Sequence, residues 1–190
     1  MRKNDLKEKL VMQQQHNVTN VILAGIGGTG VILSSNILAD AAFYAAYDVR
    51  KSEIHGMSQR GGSVSSDVRF GNKVYSPMVP DEEGDYLVLI HPDELENNLY
   101  RMKKDAIIID ISLIVGESKD LNLLKTDNYN PVNQKNFNVC LLGALSNYLD
   151  IPYDCWQKAI FSNLPKKVHE QNKGVFEYGI KLKESVKQKA

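Results

Sequence analysis

The stretch VILAGIGGTGVILSSNILADAA, Val21 to Ala42, limits most tightly how this chain can fold. An apolar run ends in glycine and leads into a long segment rich in Ala, Leu and Ser, which predicts a buried strand, a tight turn and a helix. The turn carries the spacing G-x-G-x-x-G at Gly25, Gly27 and Gly30. We expect Gly25 to permit the tight turn, Gly27 to let a ligand approach the backbone, and Gly30 to let the helix pack closely on the strand.

This glycine turn could hold an anion, hold a dinucleotide, or serve only as a crossover from strand to helix. Backbone N–H groups at the positive end of a helix bind phosphate and carboxylate groups, which makes the turn a candidate anion site. The residues of this candidate anion site are Gly25, Gly27, Gly28, Thr29 and Gly30, and the N–H groups of the last three are expected to be free. The glycines could equally form a tight crossover that binds nothing.

A dinucleotide would also require an acidic residue about twenty positions after the turn, where it binds a ribose hydroxyl. Arg50 and Lys51 stand at that distance, whereas Asp48 comes too early and Glu53 too late. A nicotinamide or flavin site is therefore the least favoured of the three interpretations. The turn alone does not decide the function.

Strand patterns alternate with helix patterns along the rest of the chain. Strands are predicted in YDVRKSEI, DYLVLI and DAIIIDISLI, a hairpin in SVSSDVRFGNKVYSP with its turn at Gly71-Asn72, and helices in HPDELENNLYRMK and in three segments after Pro131. The first of these helices is expected to be solvated, with Arg101 on its surface. The alternation predicts an α/β fold: a Rossmann-like, mainly parallel sheet with helices on both faces, a β-hairpin excursion and C-terminal helices. We expect one domain over residues 18–190 after a polar arm at 1–17.

A second glycine-rich segment, SEIHGMSQRGGSVSSDVRFG, follows the second predicted strand. Its glycines can adopt positive φ and bring the backbone close to another surface, and it leaves the carboxyl end of the sheet, where α/β folds bind ligands. We therefore predict a contact loop that faces an interface or a cofactor cleft. This contact loop consists of His55, Gly56, Met57, Ser58, Gln59, Arg60, Gly61 and Gly62.

Two side chains of the contact loop are candidates for chemistry. His55 could donate or accept a proton near neutral pH, although a histidine without a nearby nucleophile pattern is more often structural. Arg60 could pair with a phosphate or carboxylate, or equally with an interface partner. No other catalytic residue is predicted.

Composition limits the remaining kinds of site. The two cysteines, Cys140 and Cys155, lie in apolar helical patterns and are too few for a four-cysteine iron–sulfur or zinc site, so no metal site is predicted. The 23 basic and 23 acidic residues balance, and the apolar runs are too short to span a bilayer. Neither a nucleic acid nor a membrane is therefore an expected partner. Because the first residues lack the apolar core of a secretory signal, we expect a cytoplasmic protein.

Three stretches taken together resemble one family: GIGGTGVILSSNILADAA, SEIHGMSQRGGSVSSDVRFGNKVYSPMVP and NVCLLGALSNYLDIP. They are similar to the gamma-type subunits of 2-oxoacid:ferredoxin oxidoreductases, and most similar to the small, or beta, subunit of indolepyruvate ferredoxin oxidoreductases. The resemblance extends over residues 18–180, and its most specific part is the segment from His55 to Gly62. Thr29 departs from the family, which usually has glutamine there, so no contact of a glutamine side chain is expected at this position.

The resemblance implies a chemistry that this chain does not carry by itself. In that family an arylpyruvate such as indolepyruvate is decarboxylated on thiamine diphosphate, electrons pass through iron–sulfur clusters to ferredoxin, and coenzyme A takes the acyl group. Thiamine diphosphate and the clusters reside on other domains or on the large (alpha) subunit. The expected function is therefore that of a subunit without bound cofactor, inactive alone, whose partners are the large subunit and, indirectly, ferredoxin. The alternative is a stand-alone Rossmann-like protein that binds a dinucleotide or an anion.

Overall fold

The computed structural model describes residues 18–56, 62–118, 122, 124, 130–182 and 187–188, and the predicted arm at 1–17 lies outside them. The predicted strand, turn and helix are confirmed, because strand β1 spans Thr19–Ile26 and helix α1 spans Val31–Tyr44. β1 has a strand on either side, and its residues from Val21 to Ala24 are fully buried. Burial on both faces explains why the sequence of β1 is a continuous apolar run and does not alternate.

Five more strands join β1 in the described part of the chain. They are β2 (Asp48–His55), β3 (Ser63–Gly71), β4 (Gly84–Leu89), β5 (Met102–Asp110) and β6 (Lys187–Gln188), and their spatial order is β2-β3-β1-β4-β5-β6. β1 and β4, and β4 and β5, pair in parallel, whereas β3 is antiparallel to both β1 and β2, and β6 is antiparallel to β5. β1, β2, β4 and β5 thus run in one direction. The α/β prediction is confirmed, with a sheet that is mixed where β3 and β6 join it.

Helices cover the two faces of this sheet unequally. After α1 the helices are α2 (Leu95–Leu99), α3 (Ser112–Val115), α4 (Phe137–Ser146), α5 (Tyr153–Asn163) and α6 (His169–Lys181). The larger core packs α1, α4, α5 and α6 against one face, which includes Val21 and Leu23 of β1. The smaller core lies on the opposite face around Ile22 and Leu87, and it is covered by Val79 and by Leu95 of α2. Three C-terminal helices are confirmed and all lie on the first face, but Lys187–Gln188, predicted as part of the last helix, form strand β6.

A hairpin is present, but it is not the one predicted within SVSSDVRFGNKVYSP with its turn at Gly71-Asn72. The hairpin joins β2 to β3, with Asp48 opposite Gly71 and His55 opposite Val64, so its turn falls in the second glycine segment. After Gly71 the chain leaves the sheet. The N–H of Val74 donates to Asp48 Oδ2, and that of Val79 donates to Asp67 Oδ2. These two carboxylates therefore bind the chain after β3 where it has left the sheet.

Arg101 is buried, contrary to the expectation of a solvated helix. A 3₁₀ turn at Pro92–Glu94 leads into α2, which ends at Leu99, and Arg101 directly precedes β5. The side chain of Arg101 forms an ion pair with Asp67 of β3, and the exposed fractions of the two residues are 5% and 0%. The helical pattern mispredicted the exposure of Arg101, because a buried ion pair depends on a partner 34 residues away in the chain.

None of the described helices has the length and hydropathy of a membrane-spanning segment.

Candidate functional site

The glycine turn between β1 and α1 is held by its own backbone. Gly28 and Gly30 both adopt φ +93°, a left-handed conformation that favours glycine. Thr29 donates twice to the carbonyl oxygen of Ile26, from its N–H at 3.2 Å and from its hydroxyl at 2.7 Å. The expectation of a free N–H at Thr29 was therefore wrong, and Gly28 and Gly30 remain as the candidate donors of the turn.

Two glycines of the motif have steric reasons to be glycine. A Cβ at Gly25 would lie 2.9 Å from both Thr29 Oγ1 and Val31 Cγ2, which supports the expected tight turn. A Cβ at Gly30 would lie 2.5 Å from the Nδ2 of Asn138. Gly30 thus lets Asn138 of α4 approach the start of α1. The close neighbour of Gly30 is therefore a residue of a helix, whereas the sequence analysis expected Gly30 to pack against the strand. Packing alone therefore accounts for these two positions.

The two glycine segments meet at the carboxyl end of β1. The N–H of Gly27 donates to the carbonyl oxygen of Gly62 at 2.9 Å, and that of Gly56 donates to the carbonyl oxygen of Ser63 at 2.8 Å. Three residues of the predicted contact loop, His55, Gly56 and Gly62, are thereby brought beside the turn. Its other residues lie outside the described part of the chain: Met57, Ser58, Gln59, Arg60 and Gly61.

A cleft of about 360 Å³ opens where these segments meet. Its lining is apolar apart from backbone and one imidazole, and consists of Ile26, Gly27, Gly28, Gly30, Val31, Ile32, His55 and Val64. Ile32, one of these lining residues, is 40% exposed. Pockets of a few hundred Å³ with apolar walls and few polar groups are typical of ligand sites. His55 is the one titratable side chain among the lining residues.

His55 stands at the end of a row of polar side chains along edge strand β2. Its Nε2 lies 3.5 Å from Glu53 Oε2, and the Nζ of Lys51 lies 2.7 Å from Glu53 Oε1. Lys51 also donates to the side-chain oxygen of Asn36 on α1. The pKa of the Glu53 carboxyl is lowered, chiefly because Lys51 donates a hydrogen bond to it; burial opposes this effect, and His55 adds to it. Glu53 is therefore a carboxylate at neutral pH.

The sequence analysis considered Glu53 only as a ribose contact, noted Lys51 only as a basic residue where an acid was required, and missed this row. The signal was present in KSEIH, because alternate residues of a strand point to the same face. The dinucleotide interpretation is itself disfavoured by the topology: antiparallel β3 separates β2 from β1, so the acids of β2 do not stand on the strand next to the turn. Asp48, moreover, begins β2, at the far end from the turn.

A buried carboxylate supports the foot of the contact loop. Glu94 is 5% exposed, and its Oε2 accepts hydrogen bonds from the hydroxyl of Ser63 at 2.7 Å and from the side-chain amide of Asn97 at 3.3 Å. Ser63 directly follows Gly62, so Glu94 fixes the point at which the loop rejoins the sheet. No sequence pattern singled out Glu94, because its partner lies 31 positions away.

The cysteines are buried and carry no ligand set. Cys140 is fully buried, and burial raises the pKa of its thiol to about 12; burial, then Asp154, raises the pKa of Cys155. Within the described ranges no group of three or more His, Cys, Asp or Glu side chains could hold a metal ion. The described residues therefore do not fit an iron–sulfur cluster.

A separate polar cavity of about 480 Å³ lies at the amino ends of the parallel strands β1, β4 and β5. Its charged groups are bonded to neighbours: Lys103 pairs with Asp85, and Arg69 donates to Asn20 and to two backbone carbonyls. It shares no residue with the cleft at the glycine turn, and its satisfied polar groups make it the weaker candidate site.

The order of strands and the cleft define a Rossmann-like α/β protein whose central strand is flanked by a hairpin. Residues 20–182 match the family model described as pyruvate ferredoxin/flavodoxin oxidoreductase, and the chain belongs to that family. Indolepyruvate oxidoreductase subunit IorB of Pyrococcus horikoshii is 30% identical over 85% of this chain and 94% of its own length. The 2-oxoglutarate synthase subunit KorC of Methanocaldococcus jannaschii is 28% identical over 84% of this chain and 91% of its own length.

Solved structures show the same fold. The gamma subunit of a keto/oxoacid ferredoxin oxidoreductase from Geobacter sulfurreducens matches with a TM-score of 0.68 and 21% identity, over 88% of this chain and 99% of that subunit. A 2-oxoglutarate:ferredoxin oxidoreductase from Magnetococcus marinus matches with a TM-score of 0.71 and 20% identity, over 93% of this chain and 32% of that chain. The family resemblance seen in the sequence is thus confirmed. An oxidoreductase subunit is supported over a stand-alone dinucleotide- or anion-binding protein.

Proposed function

We propose that this chain is the small, cofactor-free subunit of a 2-oxoacid ferredoxin oxidoreductase that acts on arylpyruvates such as indolepyruvate. Its partner is a large subunit that holds thiamine diphosphate and iron–sulfur clusters, and the complex makes acyl-coenzyme A, CO₂ and reduced ferredoxin. The similarity to IorB supports this substrate class, because it spans most of both chains. The absence of a metal-ligand group among the described residues supports the assignment of the clusters to the partner.

The observation that carries the proposal is the meeting of the two glycine segments in a chain of this family. The hydrogen bond from Gly27 to Gly62 places both segments at one rim, beside the apolar cleft. Exposed Ile32 at that rim is suited to an interface that excludes water. We therefore assign the contact loop, from His55 to Gly62, to the surface that faces the large subunit's cofactor cleft and the approach of coenzyme A.

Thiamine diphosphate, when bound by the partner, supplies an electron sink for the carbanion that decarboxylation leaves. The role we assign to this chain is to close the reaction space and to exclude water.

An anion at the glycine turn belongs to the same proposal. Because the N–H groups of Gly27 and Thr29 are taken by Gly62 and Ile26, the donors left are those of Gly28 and Gly30. We propose that a phosphate of coenzyme A is the anion. Titration of the assembled complex with inorganic phosphate, followed by inhibition with respect to coenzyme A, tests this: competitive inhibition supports it, and purely noncompetitive inhibition contradicts it.

The experiment that tests the function is co-expression with the large subunit encoded in the same genome. We expect a stable complex that reduces ferredoxin when indolepyruvate and coenzyme A are both present, with lower rates on pyruvate and 2-oxoglutarate. Titration of the isolated chain with NADH, NADPH and FAD is the control. Micromolar binding of any of the three, or failure of the two subunits to associate, would contradict the proposal.

A further inference from the structure

We propose that Glu53 and Lys51 are positioning residues that fix the tautomer of His55, and that His55 Nδ1 accepts a proton from a weak acid bound in the cleft. This inference rests on the proposed function, because it takes the thiol of the co-substrate as the weak acid. It gives edge strand β2 a role in the reaction in addition to the binding of a partner.

The geometry of the row carries the inference. The Nε2 of His55 faces Glu53 at 3.5 Å, and among the described side chains Glu53 is the one within ion-pair reach of the ring. A carboxylate accepts a hydrogen bond from a nitrogen that carries a proton. The neutral imidazole therefore carries its hydrogen on Nε2 and has its lone pair on Nδ1. The orientation of an imidazole by a carboxylate is the arrangement by which many enzymes prepare a histidine as a base.

Lys51 fixes the position of the Glu53 carboxylate. Its ammonium group contacts Glu53 Oε1 at 2.7 Å and is itself fixed by Asn36 on α1. Glu53 thus uses one oxygen for Lys51 and the other for His55. The row ends at the cleft, since His55 lines it and Lys51 and Glu53 do not.

Among the residues that the structure describes, Glu53 and Lys51 are the charged groups in the row that ends at the ring. Opposite β2, strand β3 presents Val64 to His55. The glycine turn and the first turn of α1 present Gly27, Gly28, Val31 and Ile32. Among the described lining residues, His55 is the one with an ionisable side chain.

The cleft suits a thiol on a thin, flexible arm. Its walls are apolar, and Gly27 and Gly28 present only backbone to it. A thiol of ordinary acidity, with a pKa near 8.5, is mostly protonated at neutral pH, and only the thiolate is an effective nucleophile. In the proposed step the S–H bond breaks, its electron pair stays on sulfur, and the proton moves to Nδ1 of His55.

The tautomer is measured on the full chain by long-range ¹H–¹⁵N correlation at mildly alkaline pH. We expect the His55 ring to be a single Nε2–H tautomer. Glu53→Ala should give a mixture of tautomers, whereas Glu53→Gln should keep the Nε2–H form because its amide oxygen can still accept. A mixed or Nδ1–H ring in the wild-type chain would overturn the proposal.

The base is tested in the assembled complex by ferredoxin reduction as a function of pH and of coenzyme A concentration. We expect His55→Gln to lower the coenzyme A-dependent rate at least tenfold near neutral pH, and to lose less at high pH, where the thiol ionises unaided. Asp93→Asn is the matched control, because Asp93 lies 3.6 Å from His91 in a second histidine–carboxylate pair that does not line the cleft. It should keep the wild-type rate and pH profile.

A failure of the proposed function and a failure of the proposed role of His55 give different results. If the wild-type complex does not form or does not oxidise any 2-oxoacid, the proposed function is wrong. If the wild-type complex is active and His55→Gln keeps its rate and pH profile, the proton-accepting role of His55 is wrong and the proposed function stands.

Discussion

The N–H of Gly27 donates a 2.9 Å hydrogen bond to the carbonyl oxygen of Gly62, and this bond joins the two glycine segments of the chain. Thirty-five positions separate the two residues in the sequence. They meet because β3 runs antiparallel to β1, which returns the end of the contact loop to the end of β1. A motif that suggests a nucleotide site and a motif that suggests a contact surface are thus parts of one rim.

Arg60→Ala should distinguish a role in binding the large subunit from a role in the stability of the fold. We expect the isolated chain to keep its stability, and the complex or its arylpyruvate oxidation to weaken at least tenfold, about 1.4 kcal/mol, because an arginine buried on assembly can contribute a few kcal/mol. Urea denaturation of the chain and titration of the large subunit measure the two effects. Arg50→Ala is the control, since Arg50 lies at the far end of β2 and pairs with Asp48 two residues away. Normal assembly and full activity of Arg60→Ala would show that the contact loop is not the functional surface.

Arg101→Met should destabilise the isolated chain by about 3–5 kcal/mol, because it leaves the charge of Asp67 buried without an opposite charge beside it. The measurement is the free energy of unfolding in urea. The double variant Arg101→Met with Asp67→Asn should recover most of the loss, since it removes the charge and keeps an acceptor for the N–H of Val79.

Lys103→Met is the matched control for the buried pair. Lys103 and Asp85 also form an ion pair, but the Lys103 side chain is 39% exposed, so its loss should cost less than about 1 kcal/mol. Equal losses for Arg101→Met and Lys103→Met would contradict the role of burial.

Gly30→Ala should cost more than Gly28→Ala. Both residues adopt φ +93°, which strains any L-residue by about 1–2 kcal/mol. Only Gly30 has a neighbour in the way, because its Cβ would lie 2.5 Å from Asn138 Nδ2, while nothing lies within 4 Å of a Cβ at Gly28. Thermal unfolding of the two variants measures the difference. The added substitution Asn138→Ala should relieve Gly30→Ala and not Gly28→Ala, and an equal Tm for the two single variants would contradict the clash.

Cys140 should be inert in the folded chain and bind no iron. Burial raises the pKa of its thiol from 9.0 to about 12, so the thiolate is disfavoured relative to the unfolded state. The stability from this neutral thiol is fully present below pH 9, and is lost as the pH rises from about 9 to about 12. Reaction with a thiol reagent at pH 8 should be at least about a hundredfold slower than in urea. Rapid labelling of the native chain, or iron that co-purifies with it, would contradict this prediction.

The sequence by itself determined β1, α1 and the α/β class, because these depend on local patterns. The apolar run of β1 and the glycines after it describe a strand buried on both faces and a tight exit, whatever the rest of the chain does. The second glycine segment was also visible in the sequence, since three glycines in seven residues are unusual in regular structure, and its role as a contact loop stays a prediction. The family resemblance added the chemistry that these patterns could not supply.

Only the tertiary structure decided which distant residues meet. The turn of the hairpin, the burial of Arg101 and the support of the contact loop by Glu94 each depend on contacts between residues far apart in the chain. Glu53 was visible in sequence as an acid, yet its contact with His55 requires an extended β2, and the cleft that His55 lines requires β1, β3 and α1 to assemble. A side chain's charge and shape are local properties, but its burial and its partners follow from the path of the whole backbone, so no local pattern can determine them.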